Sequence, residues 1–197
     1  MYKKLVFSAL AFFALAIFTG GASLAQNAQM SGNQRDVQFL DMMLMHHADG
    51  VKMAQMGADK AQNAGVKALA EKMAAGQQKD IEEMQKMRDS HFSGEGKQEM
   101  MMMKGREMTM GMMMKMSEED MNKLEAASGT EFDRTFLDIF TKHHQMAIGM
   151  SKQETSKGKD AEVKKKAREI IVVQTKELGE IKRLKKEVGT GNSRVGR

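Results

Sequence analysis

Cysteine, proline and tryptophan are all missing from this 197-residue chain, and tyrosine occurs once. Lack of proline removes the usual helix breaker, and no alternating β-branched run suggests a strand. Lack of cysteine near the N-terminus excludes a bacterial lipoprotein. Several catalytic patterns are absent too. No Glu-x-x-His occurs, so the ligand set of a carboxylate di-iron oxidase is not there. Neither a Ser/His/Asp order, a phosphate loop nor a nucleophile motif supports a hydrolase. No enzymatic activity is therefore expected. Charge of one sign is scarce as well: the formal +5 falls to +3 once Lys3 and Lys4 are removed with a leader. That is too weak and too scattered to argue for nucleic acid. The basic run from Lys164 to Arg168 reads as the solvated face of a helix.

Against these absences stand 23 methionines and an export signal. Lys3 and Lys4 precede an apolar stretch from Leu5 to Phe18, and Ser23-Leu24-Ala25 offers small residues for cleavage, the anatomy of a signal peptide over 1–25. That stretch is short for a membrane span; an uncleaved N-terminal anchor is the alternative. The mature chain, 26–197, is expected in the periplasm or secreted, with no stable membrane insertion after cleavage. In such an oxidising compartment a thiol risks disulfide formation, whereas a thioether cannot form one.

Shifting the chain by 97 residues aligns 36–90 with 133–187 without a gap. Identities include Asp36/Asp133, Phe39/Phe136, Leu40/Leu137, Asp41/Asp138, His46/His143, His47/His144, Met53/Met150, Gln77/Gln174 and Glu83/Glu180. The unit is a duplication. In the first copy Leu40, Leu44, His47, Val51 and Ala54 form a helical stripe, and Val66, Leu69, Met73, Gln77, Ile81 and Met84 form a second. Gly57 and Gly65 bracket one turn, Ser156 to Asp160 the other. Thr130 and Asp133 resemble a capping box with Asp in place of Glu. Two such hairpins bury their stripes best against each other, so the expected fold is an all-α four-helix bundle forming one domain. Its expected parts are a first hairpin over 36–92, a Met-rich bridge over 93–129, a second hairpin over 130–188 and a disordered tail over 189–197. A short helix is expected from Ser117 to about Ala126. The bridge is expected to cross the bundle end to end, with the second hairpin repeating the direction of the first.

Neighbours on a helix point 100° apart, so His46 and His47 serve different faces. Met42, Met43 and Met53 share the His46 side; Met146 and Met150 share that of His143. Two readings of the pairs stand. They form a core polar network bonded to Asp36, Asp41, Asp133, Asp138 or a backbone carbonyl, or they are metal ligands, His46 and His143 ahead of His47 and His144. Met43, Met73 and Met84 lie at core spacing. The segment 100–116 is different: Met100, Met101, Met102, Met103, Met108, Met110, Met112, Met113, Met114 and Met116 occupy ten of seventeen positions with no 3.6 or 2.0 period. Thioethers are soft, neutral donors that select Cu(I) and Ag(I) over hard ions, and they carry no proton that acid could compete with. Met84, Met87 and His91, at i, i+3 and i+7, join this surface if the bridge folds back.

The duplicated Phe-Leu-Asp-x4-His-His-x5-Met phrase, export and a Met-rich bridge together resemble the domain-of-unknown-function 305 family, of ferritin-like four-helix architecture. The resemblance covers 36–187. It implies an exported protein that binds Cu(I), with Cu(II) and Ag(I) as further ions, and limits copper toxicity beside a copper efflux system or a sensor kinase. It implies His46, His47, His143 and His144 as the paired histidines and Asp41 and Asp138 as their acidic partners. The second copy departs from the first, with Ile139, Phe140 and Lys142 where Met42, Met43 and Met45 stand, so the first copy and the bridge are expected to carry most of the metal. The rival reading is a protein- or membrane-interaction module with a Met-rich apolar surface and no metal. A third role is oxidant scavenging through methionine sulfoxide.

Overall fold

The computed structural model describes residues 32–103 and 105–191. The expected signal peptide and residues 192–197 lie outside them. Five helices and a two-stranded hairpin follow in the order α1 (Gly32–Lys60), α2 (Ala64–His91), β1 (Met100–Met103), β2 (Arg106–Thr109), α3 (Met110–Ala126), α4 (Gly129–Lys157) and α5 (Ala161–Gly191). The expected four-helix bundle consists of α1, α2, α4 and α5. Helix α5 runs on through Gly191, so residues 189–191 are helical where a disordered tail is expected.

Turns fall where side chains can satisfy the free N–H groups of a helix start. Asn63 caps α2 by accepting from Gly65 N and Val66 N, and Asp160 does the same for α5 from Glu162 N and Val163 N. The two glycines thought to bracket the first turn sit inside α1 and α2 instead. Asp133 forms no capping box. Its carboxylate leaves α4 and accepts from Gln62 N at 3.1 Å and Asn63 N at 2.9 Å, just past the end of α1. Asp36, its counterpart, accepts from Lys159 N and Asp160 N at 3.0–3.2 Å, just past the end of α4. Each copy thus ties down the loop of the other, and α1 and α4 run antiparallel. The second hairpin therefore reverses the direction of the first. This reversal, not a repeat, makes the bridge cross the bundle: Gln98 N donates to Asp41 near the start of α1, and Lys60 at its end donates to the Leu124 and Glu125 carbonyls of α3.

The core has three tiers. One end is built from Phe132, Phe136, Phe140, Leu137, Leu69, Val66, Ile181 and Leu184, all buried. Each such side chain stabilises the fold by about 1.5–3 kcal/mol. At the other end the buried side chains are mostly methionine: Met42, Met43, Met84, Met101, Met113 and Met150, with Phe39, Leu40 and Phe92. Between them lies a polar layer of His46, His47, His144, Gln77 and Gln174.

The bridge is more regular than its sequence suggests. β1 and β2 pair antiparallel with Met101 opposite Met108 and Met103 opposite Arg106, and Gly105 turns the chain at φ 77°. Met101 is buried, and Met103 and Met108 are half-buried against the bundle. Helix α3 starts at Met110, seven residues ahead of the expected Ser117, and buries Met113 and Leu124. Methionine on both faces of β1 and α3 hides the period that a mixed sequence would show. Arg88 holds the preceding loop, donating to Asp41 Oδ1 at 2.8 Å and to the carbonyls of Phe92, Glu95 and Gly96.

Beside Asp36, Glu154 is 3% exposed and occupies the space that a side chain at Gly158 would take. Burial, with the hydrogen bond to Asp36 and the charge there, raises its pKa to about 9. An unfolded glutamate titrates near 4.5, so the fold must hold a proton that solvent would remove, at a cost that grows from pH 5 to pH 9. Glu154→Gln keeps the donor without that proton. Thermal melts at pH 5 should nearly coincide, and the variant should gain stability steadily up to pH 9, by about 3 kcal/mol at pH 7. Parallel curves for variant and parent would count against the protonated carboxyl.

Candidate metal centre

The antiparallel α1/α4 pair brings the two copies of the histidine phrase face to face. The rings of His46 and His143 stack at 3.7 Å between centroids with 28° between planes, and His143 Nε2 lies 3.1 Å from the His46 carbonyl oxygen. His46 is 4% exposed, yet neither of its ring nitrogens has a hydrogen-bond partner, and His143 Nδ1 has none either. Such a ring is costly to bury, about 1–3 kcal/mol per unpaired group. Burial first, then the nearby imidazoles, holds both pKa values well below the usual histidine range. Both rings are therefore neutral, with lone pairs, well into the acid range.

His47 and His144 turn toward the back helices. His144 Nε2 bonds Glu177 Oε2 at 2.9 Å, and His47 Nε2 lies 3.4 Å from Asp80 Oδ2. Each acid is backed by a lysine from the other hairpin: Lys166 reaches Asp80 at 3.1 Å, and Lys72 lies 4.0 Å from Glu177. Burial alone would raise the pKa of Asp80, but His47 and Lys166 outweigh it and lower it. A carboxylate on the far nitrogen fixes an imidazole's tautomer and orientation, as outer partners of ligating histidines do. Asp80 and Glu177 are the acids that approach these rings. Of the expected partners, Asp36 and Asp133 hold loops, Asp41 pairs with Arg88 at 2.8 Å and Asp138 with Lys185 at 2.7 Å. The signal for the true pair lay in the 97-residue register, which sets Asp80 on Glu177 beside the identity Gln77/Gln174.

A cavity of about 60 Å³ opens beside the stacked rings, lined by His46, Asp49 and Met53 of α1, Met113, Met116, Ser117 and Asp120 of α3, and Lys142, His143 and Met146 of α4. Six residues predicted as ligands converge here: His46, Met53, Met113, Met116, His143 and Met146. Two of them come from the first copy, two from the bridge and two from the second copy. Asp49, Ser117, Asp120 and Lys142, none of them a predicted ligand, complete the lining; Asp49 pairs with Lys52 at 3.4 Å and Asp120 with Lys123 at 2.7 Å. The helix Cβ of any residue at position 50 would fall 2.1 Å from Gln77 Oε1 and 2.6 Å from His143 Cε1, so only glycine lets that ring sit.

The other predicted ligands lie elsewhere. Met42, Met43, Met84 and Met150 are buried in the methionine end of the core, with Met101 at its edge, and Met87, Met103, Met108 and Met110 pack against it half-buried. Met84 and Met87 share this methionine end of the core, but the bridge strand β1 and helix α3 pack on α1 and α4, and His91 bonds Asp160 at 2.9 Å with Glu162 at 3.4 Å. Met100, Met112 and Met114 are exposed. Among the described residues no three His, Asp or Glu side chains converge to hold an ion, so an ion in this pocket would need methionine sulfur. Also among them, no helix is long and apolar enough to cross a membrane.

Comparison with known proteins agrees with this architecture. The family described as domain of unknown function (DUF305) matches residues 19–88 and 36–185. No curated protein sequence matches the chain. A DUF305 protein from Streptomyces coelicolor shares the fold at TM-score 0.66 and 22% identity, over 79% of this chain and 94% of that one. CopM in its Cu(II)-bound form aligns at TM-score 0.64 and 30% identity, over 77% and 96% of the two chains. Its Cu(I)- and Ag-bound forms align at TM-score 0.61, with 27% and 26% identity and the same coverage. With a match over most of its length and the duplicated histidine phrase at the centre of its bundle, the chain belongs to the DUF305 family.

Proposed function

We infer that the protein is an exported binder of soft monovalent ions, Cu(I) foremost and Ag(I) with it, that sequesters or chaperones copper and so supports copper resistance. The observation that carries this reading is His46: buried, bonded through neither ring nitrogen and stacked on His143 in a cavity with four methionines. Sulfur and neutral imidazole are the donors that Cu(I) prefers. The forms in which CopM has been solved, with Cu(II), Cu(I) and Ag bound, support the same class of ion. The protein acts by binding and not by catalysis, in the periplasm or beyond it, with an efflux system or sensor kinase as the receiving partner.

The rival, a Met-rich docking surface without metal, draws on the exposure of Met112 and Met114 (53% and 58%). A Cu(I) competition titration against a chromophoric chelator separates the two. Saturable binding tighter than about micromolar is expected, changing little between pH 7 and pH 5, because the methionine thioethers carry no proton that acid could compete with. The double variant Met113→Leu/Met146→Leu keeps the apolar area and removes two sulfurs; its affinity should fall at least tenfold, about 1.4 kcal/mol. No competition by the parent protein at either pH would end the copper reading.

The close approach at Gly50 yields a second outcome. Gly50→Ala should destabilise the fold by about 1–3 kcal/mol in urea denaturation and weaken Cu(I) binding by displacing His143. Unchanged affinity in a folded Gly50→Ala protein would take His143 out of the site.

A further inference from the structure

Helix α3 turns one methionine face inward and leaves another outside. Met113 is 4% exposed and lines the pocket, whereas Met112 is 53% and Met116 41% exposed. Thr109 caps the helix by accepting from Met112 N at 3.1 Å, so both residues lie in regular helix, one turn apart on one side. At i and i+4 their Cβ atoms are about 5–6 Å apart, a spacing from which two flexible thioethers can close on one ion. Met116 alone among the lining methionines is open to solvent while it faces the cavity: Met53 and Met113 are buried and Met146 is half-buried. The acids at the rim, Asp49 and Asp120, are engaged by Lys52 and Lys123, which leaves sulfur as the uncommitted donor at the mouth.

We propose that Met112 and Met116 form a loading site for soft monovalent ions, from which the ion passes into the pocket bounded by Met53, Met113, His46 and His143. This rests on the function inferred above for that pocket. The ion is first held between the sulfurs of Met112 and Met116. Met116 keeps its bond while Met113 or Met53 replaces Met112, and the imidazoles then complete the inner set. Each exchange swaps one neutral donor for another, so the ion keeps its oxidation state and no thioether releases a proton.

A residue used only in passage lowers the barrier equally in both directions, so its loss changes rates and leaves the equilibrium alone. Ag(I), which undergoes no redox change, is the probe. Met112→Leu keeps helix propensity and apolar area at an exposed position. Stopped-flow Ag(I) uptake and release should both slow roughly tenfold, with equilibrium affinity and helical circular dichroism unchanged. Met116→Leu should lose affinity as well as rate. Unchanged rates in Met112→Leu overturn the loading site and leave the inner pocket standing. A loss of affinity equal to the loss of uptake rate overturns it by making Met112 a ligand of the resting site. If the parent protein binds no Ag(I), both readings fall together.

Discussion

Asp36 and Asp133 each reach from near the start of one helix to the loop just past the end of the helix beside it, and this reciprocal reach sets the geometry of everything between. Each carboxylate takes two backbone N–H groups, bonds to a charged group worth about 1.5–3 kcal/mol apiece. The two ties clamp α1 and α4 at both ends in antiparallel register. His46 and His143 sit midway between the clamps, where a 3.7 Å stacking distance depends on that register. A slip of a single turn, about 5.4 Å, would part the rings and dissolve the cavity. Fold and site therefore share one determinant, located far from the site itself.

The clamp permits a core that would otherwise be unfavourable. Four imidazoles and two carboxamides lie in the middle tier, and the amides of Gln77 and Gln174 are unpaired along with most of the ring nitrogens. An apolar layer of similar volume would be cheaper to bury. The tiers on either side, phenylalanine at one end and methionine at the other, supply the apolar burial that offsets it. The outer acids give partial relief, each carboxylate meeting a histidine on one side and a lysine on the other. Of the groups left unpaired, the rings of His46 and His143 line the cavity.

Much of this was legible from residues alone, and the failures have physical causes. The ungapped repeat revealed two hairpins, four bundle helices and paired histidines, because helical periodicity and identity at a fixed offset are local signals. It could not show that the hairpins oppose each other. An offset compares sequences, not orientations, and two copies related by a two-fold axis read the same as two in parallel. The hairpin and first turns of α3 were hidden for a different reason: in a run where methionine fills inner and outer positions alike, neither period stands out. Asp41 and Asp138 were expected as histidine partners from the family resemblance, whereas Asp80 and Glu177 arrive from helices 33 residues away. Long-range contacts of that kind leave only a faint trace, here an acid aligned with an acid.

The lining of the cavity also bears on which ion the proposed site would hold. Its donors at the rings and sulfurs are neutral, its two carboxylates are engaged by Lys52 and Lys123, and Lys142 adds an ammonium where the first copy has Met45. A divalent ion entering here would bring two charges beside a lysine without a carboxylate free to balance them, in surroundings where interactions between charges are strengthened by burial. A monovalent soft ion brings one charge and forms its strongest bonds with the donors already present. In the proposed site the Lys142 exchange, which in sequence seemed to weaken the second copy, would be part of the selectivity of one pocket lined by both copies.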